Sequence, residues 1–391
     1  MQPADRERVG RRPGGRSLAV LVIALAAAPL LAGGWMAMGP GSSRIASTPG
    51  PLGQGTAAPL RPTEPAEAAS SPARATASAG PTASGRPTAP NGPFVGGLLI
   101  ADRGNGRIIA VDNGGRIIWS FPIAGSLPTG EAFSADDAFL SPDGRTLTAN
   151  EEGHQVVVRI DIATRRVIWE YGHYDRAGSL PGYLNTPDDA YGLANGDVVV
   201  ADIGNCRVIE ISPDKRIVRQ WGQTDVCTHR PPVSYAVPNG DTPLPDGGLL
   251  ITEIRGSRVV RLDAAGNVIF DIHVPAKYPS DTQLDRHGNV VVADYTNPGA
   301  VLAVDPHGRL LWRYGPTAGA GRLDHPSLAI PLPDGTIAVT DDGRARVVVL
   351  DPGAERIVWQ YGTTDSAGIG PGRLADPDGL EPIPVGAIPG L

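Results

Sequence analysis

After residue 95 the chain alternates short apolar runs with turns rich in Gly and Asp, and the alternation repeats. The segments LLIADRGNGRIIAVDNGGRIIWSF (98–121), VVVADIGNCRVIEISPDKRIVRQWG (198–222), LLITEIRGSRVVRLDAAGNVIFDI (249–272) and IAVTDDGRARVVVLDPGAERIVWQYG (337–362) share one frame. In it an apolar run ends in an acid; a polar turn, an Arg, an apolar stretch, a second turn and a closing aromatic follow. LTANEEGHQVVVRIDIATRRVIWEYG (147–172) and VVVADYTNPGAVLAVDPHGRLLWRYG (290–315) are looser copies, so six units result. Short runs bounded by turn residues predict strands.

The leading acids Asp102, Glu151, Asp202, Glu253, Asp294 and Asp341 stand 49, 51, 51, 41 and 47 residues apart. That is the roughly 40–50 residue period of a four-stranded propeller blade. Arg107, Arg207, Arg258 and Arg346 lie five residues after their acids, and Asp112, Ser212, Asp263 and Asp351 five further on. Each acid is expected to pair with its Arg across the turn, and each later Asp to bond its own backbone. Repetition at every blade marks these residues as scaffold. A further strand precedes five of the units, as in DDAFLSPDG (136–144) and DDAYGLANG (188–196); the first unit lacks one, and a copy, PDGLEPIP (377–384), closes the chain. The fold expected over 94–391 is therefore an all-β, six-bladed propeller whose C-terminal strand completes the first blade and removes a free sheet edge.

The pattern changes before residue 94. Arg6, Arg8, Arg11, Arg12 and Arg16 lie in a basic segment, 1–17, ahead of the uncharged run 18–38, LAVLVIALAAAPLLAGGWMAM. Its 21 residues are enough to cross about 30 Å of hydrocarbon as a transmembrane helix, which makes it a signal anchor with a cytoplasmic N-terminus. A cleaved signal peptide is the alternative, because Ala-x-Ala spacings lie within the run. Residues 39–93 are Pro, Ala, Ser, Thr and Gly with six scattered charges, a composition expected to stay disordered as a linker. Together these readings place a propeller outside the cytoplasm of a single-pass membrane protein.

Composition adds a sign. Of the formal charge of −7, residues 1–93 hold nine Arg against four acids, or +5, which leaves −12 on the remainder. An acidic domain repels phosphate backbones, so nucleic acid is not an expected partner. Cys206 and Cys227 are the two cysteines, and an even pair in an exported domain favours a disulfide.

The stretch Asp202, Asn205, Arg207 and Val208 resembles the NHL repeat, and the endings GRIIW (115–119), RRVIW (165–169), GRLLW (308–312) and ERIVW (355–359) resemble the tryptophan-bearing blade ends of PQQ-binding-like (quinoprotein-like) β-propellers. Such propellers include interaction platforms, assembly factors, lyases, sulfotransferases and lactonases. Quinoprotein dehydrogenases have eight blades, and six units make PQQ an unexpected cofactor.

Aligned by their trailing turns, the innermost strands bring Asp137, Asp189, Asp241, Asp281 and Asp378 to one place, with Ser327 or Leu328 in the sixth blade. Five carboxylates around one channel mouth need a cation, water or raised pKa values, and Ca²⁺ or another divalent cation suits oxygen ligands. The plainer reading makes each Asp the cap of the turn before its strand. Asn185, Asn239 and Asn297 are further oxygen donors. His325 is the histidine expected near the mouth. No HExxH, GxSxG or phosphate-loop motif occurs. The expectation is a monomeric binding or scaffold module for a protein, peptide or envelope polymer; the alternative is a metal-assisted hydrolase or lyase at the mouth.

Overall fold

The structure, a computed structural model, describes residues 92–390. The basic segment, the apolar run and almost all of the linker lie outside the described residues. No helix among the described residues is long and apolar enough to cross a membrane.

Among the described residues, twenty-four strands form six four-stranded antiparallel sheets. Blade 1 is built from Pro377–Ile383, Gly97–Asp102, Arg107–Asp112 and Ile117–Phe121. The C-terminal strand thus lies innermost and closes the ring, as the sequence predicts. The other innermost strands are Ala138–Leu140, Pro187–Gly192, Pro238–Pro243, Pro279–Leu284 and Ala329–Pro331, in blades 2 to 6.

The second strand of each blade, GLLIAD, TLTANE, VVVAD, LLITE, VVVAD or IAVTD, is buried along its whole length. Blades cover both of its faces, which explains the continuous apolar runs. Outermost strands such as Arg356–Gly362 alternate, because one face meets the next blade and the edge meets water. The core accordingly divides into six clusters, one per interface between blades. Leu98, Ile100, Val347 and Val349 seal blade 6 to blade 1. The tryptophans ending the blades also join neighbours: the indole N–H of Trp119 donates to the Ile162 carbonyl (2.9 Å), Trp169 to Pro213 (3.0 Å) and Trp312 to Pro352 (3.1 Å).

The acid–Arg pairs form in three blades: Arg107–Asp102 (2.6 Å), Arg207–Asp202 (2.7 Å) and Arg346–Asp341 (2.6 Å). The other oxygen of each acid accepts a backbone N–H from the loop before the innermost strand, Ala375, Asn185 or Asp324. Blade 4 departs from the expected pairing. There Arg258 turns to Asp271 (2.8 Å), and Glu253 takes the His229 ring instead (2.8 Å). Cys206 and Cys227 are joined as a disulfide, Cα to Cα 5.1 Å, across 21 residues.

Candidate functional site

The innermost strands run side by side around a central channel. Each begins at what is here called the front mouth, where the loop after its second strand also lies. Strand register sets the level of each side chain. The pairs Ile100–Leu380, Ala149–Ala138, Val200–Ala190, Ile251–Asp241, Val292–Thr282 and Val339–Ala329 each involve the residue two before a leading acid, and so mark one level. One residue earlier stand Gly379, Asp137, Asp189, Gly240, Asp281 and Leu328. One earlier again, nearest the mouth, stand Asp378, Asp136, Asp188, Asn239, Ser280 and Ser327.

The five aspartates singled out from sequence are therefore not equivalent. Asp137, Asp189 and Asp281 share the middle level, Asp241 lies one residue deeper, and Asp378 belongs to the mouth. The register shifts where the strands begin, between Pro187 and Ala190, Pro238 and Gly240, and Pro279 and Thr282. Such bulges re-aim side chains, so that adjacent Asp188 and Asp189 both act on the channel.

At the mouth, Arg103 pairs with Asp378 (2.6 Å), Glu152 (2.9 Å) and Asp136. Asp136, Glu152 and Asp188 bring carboxylate oxygens within 4.8 Å of one another, a spacing that suits a metal ion. Asn239 stands beside Asp188 at the same level, and its buried side-chain oxygen has no hydrogen-bond partner. Asp342, hydrogen-bonded by Ser327 (3.0 Å), adds a further buried acid. Within the field of these acids, Tyr278 and Tyr295 pack 5.4 Å apart, and His325 lies 4.9 Å from Tyr295 with its Nδ1 held by Asp324 (2.7 Å). Of the candidate asparagines, Asn239 alone stands at a channel level; Asn297 bonds Asp324 (2.8 Å), and Asn185 packs against Gly204.

Sequence reasoning missed Arg103, Glu152, Tyr295 and Asp342. All occupy one repeat position, immediately after the leading acid, with Ile203 and Ile254 in the remaining blades. The signal was present: where the acid and Arg of the frame recur, this position varies in charge and aromatic character.

Deeper in, burial first and then mutual repulsion push the Asp137, Asp189 and Asp241 carboxyls well above the usual range. Asp281 rises less, to about 6, because burial is opposed by hydrogen bonds from the Thr282 backbone (2.7 Å), Gln283 (3.1 Å), Thr242 (3.3 Å) and Tyr191 (3.3 Å). Neither oxygen of Asp189 or Asp241 has a partner, and they cap no turn. Below, Phe139 stacks on Tyr191 at 4.0 Å and a cavity of about 310 Å³ opens beside Glu381. Burial raises the Glu381 carboxyl to about 8 against a single backbone hydrogen bond from Leu140.

Residues 216–379 match the family described as outer membrane protein assembly factor BamB. No curated protein matches the chain. A protein of unknown function from Bacteroides caccae has a similar structure, with a TM-score of 0.52 at 15% identity over 73% of this chain and 97% of that one. Kuenenia stuttgartiensis hydrazine synthase follows with a TM-score of 0.47, 16% identity, and 74% and 88% coverage. A streptogramin B lyase gives 0.43 and 16%, over 57% of this chain and 67% of that one. At these identities the likeness is one of fold.

Proposed function

From the premise that this chain belongs to the quinoprotein-like β-propellers, we propose that it is an extracytoplasmic binding module, held at the membrane by its N-terminal segment, that takes a protein or peptide ligand at the front mouth. The observation that carries the reading is the mouth's charge: among the described residues Arg103 pairs with Asp136, Glu152 and Asp378, Asp188 adds a fourth carboxylate to the cluster, and Tyr278 and Tyr295 pack against each other nearby with their rings tilted by 48°. A surplus of carboxylates beside aromatic rings suits Lys- or Arg-bearing chains, which gain both charge pairing and cation–π contact. The family matched over 216–379 is described as an assembly factor, which fits a binding role.

Titration of the full chain in detergent with a Lys-rich and a Glu-rich peptide of equal length tests this. The Lys-rich peptide is expected to bind, more weakly as salt rises, and Glu152→Gln with Asp188→Asn to cost about tenfold in affinity. Equal binding of both peptides overturns it. The second reading, a metal-assisted hydrolase or lyase, is favoured by the Asp136–Glu152–Asp188 cluster. Metal-dependent turnover of an ester or lactone, lost in Glu152→Gln, decides for it.

A further inference from the structure

The innermost strands carry a further ring toward the end of the channel opposite the front mouth. Side chains alternate along a strand, so the residues two beyond the middle level face the channel again. These are Glu381, Phe139, Tyr191, Thr242, Gln283 and Ile330, paired with Leu99, Thr148, Val199, Leu250, Val291 and Ala338. All but Thr242 line the cavity of about 310 Å³, and Leu332 and the exposed Pro333 carry its wall out to the back of the disc. Glu381 is the one charged group on that wall, and no Lys, Arg or His lines it.

The polar atoms left free in this cavity are acceptors. One Glu381 oxygen accepts the Leu140 backbone N–H, and no donor among the described residues reaches the other. Gln283 commits its amide nitrogen to Asp281 (3.1 Å), the Tyr191 hydroxyl (3.3 Å) and Thr242 (3.4 Å), which leaves its carbonyl oxygen without a partner. The Tyr191 hydroxyl donates to Asp281 (3.3 Å). A guest must therefore bring donors. The rest of the wall is apolar: Phe139 stacks on Tyr191 with centroids 4.0 Å and planes 17° apart, beside Ile330 and the buried Leu332. A carboxylate sunk in such a wall is unfavourable without a cation, and a donor that carries positive charge removes that penalty where a neutral one does not. A divalent metal needs several hard ligands and finds one carboxylate here. An anion would meet acceptors alone. A primary ammonium offers three N–H donors on a compact head, and the cavity stands at the small end of the roughly 300–1,000 Å³ typical of ligand sites.

We propose that the back of the channel is a second binding site, for a small primary ammonium with an aliphatic body. Glu381 and the Gln283 carbonyl oxygen hold the head, and Phe139, Tyr191, Ile330 and Leu332 cover the body. This site goes beyond the peptide reading of the front mouth and lies on the far side of the level that carries Asp137, Asp189 and Asp281.

Calorimetric titration of the full chain in detergent, with cyclohexylmethylammonium and its uncharged counterpart cyclohexylmethanol, tests the site. At pH 7 the ammonium should bind at least about tenfold more tightly, and Glu381→Gln should abolish that preference. Burial holds the empty Glu381 carboxyl at about 8, and no other charge shifts it. Binding near pH 7 should therefore release close to one proton, read as a difference in heat between two buffers of unlike ionisation enthalpy, and affinity should rise toward about pH 8 and then level off. Tyr191, the other titratable group on the wall, is held protonated by burial, and Asp281, behind Gln283 at about 6, titrates below that window. Equal affinity for the two compounds, binding of neither, or a preference that survives Glu381→Gln overturns the proposal. So does a preference lost in Glu152→Gln instead, which puts the ammonium at the front mouth. If Glu381→Gln does not fold, Ile330→Trp fills the cavity from another blade and should abolish binding; persistence there overturns the site equally. Peptide binding at the front mouth is titrated separately, so either idea can fail alone.

Discussion

The Asp202–Arg207 pair shows how little a buried charge pair means by itself. Its side chains are 0% and 3% exposed and 2.7 Å apart, yet the Asp202 carboxyl still lies above its ordinary range, because burial outweighs Arg207 and the Asn205 and Asn185 hydrogen bonds. The pair offsets a desolvation cost rather than adding a surplus. Removing one partner exposes that cost: Arg207→Met should destabilise by about 3 kcal/mol in urea unfolding, since Asp202 stays buried without its cation. Glu381 makes a second case. Its native pKa of about 8 stands above the unfolded value, so the native state holds an extra proton and stability is lost as pH rises from about 5 toward 8. Unfolding free energy should fall across that window by at most about 1.4 kcal/mol per pH unit, less where the cavity admits water. Glu381→Gln should flatten that part of the profile.

At the scale of strands and loops, the disulfide ties the turn of blade 3 to the loop that follows the blade. Closing 21 residues is worth about 3 kcal/mol on chain-entropy grounds, so Cys206→Ser with Cys227→Ser should lower the unfolding free energy by about that amount. The strands themselves were legible because burial on both faces leaves unbroken apolar runs, and closure was legible because one strand was missing from the first unit and present at the end. The levels of the channel were harder to read. Bulges at the strand starts hide them, and the trailing turns were ambiguous in two blades. Gly144, Gly196, Gly247, Gly288, Gly335 and Gly386 all take positive φ, and counting back seven residues from each gives Asp137, Asp189, Gly240, Asp281, Leu328 and Gly379. Gly247–Gly248 in blade 4 offers two candidates for that turn, and PVGAI in blade 1 lacks the usual Asp-Gly, so Asp241 and Asp378 were drawn into the wrong level. A glycine required by positive φ is the firmer anchor, because few other residues hold that conformation without strain.

For the molecule as a whole, closure by Pro377–Ile383 makes the last strand a structural member of the first blade. Deleting residues 376–391 removes the inner neighbour of Gly97–Asp102 and the Asp378 partner of Arg103. Unfolding of the truncated chain should lose its cooperativity and begin well below the intact midpoint; an unchanged midpoint in calorimetry would sink the role assigned to that strand. The same circle also carries a consequence in its irregularity. Six identical blades would offer a guest six indistinguishable poses, each sixty degrees from the next. Here the middle level reads Gly379, Asp137, Asp189, Gly240, Asp281 and Leu328, so no rotation maps the channel onto itself. A guest at the mouth meets a dial with one marked direction, and whatever it carries away from the axis leaves over a single, reproducible side of the disc.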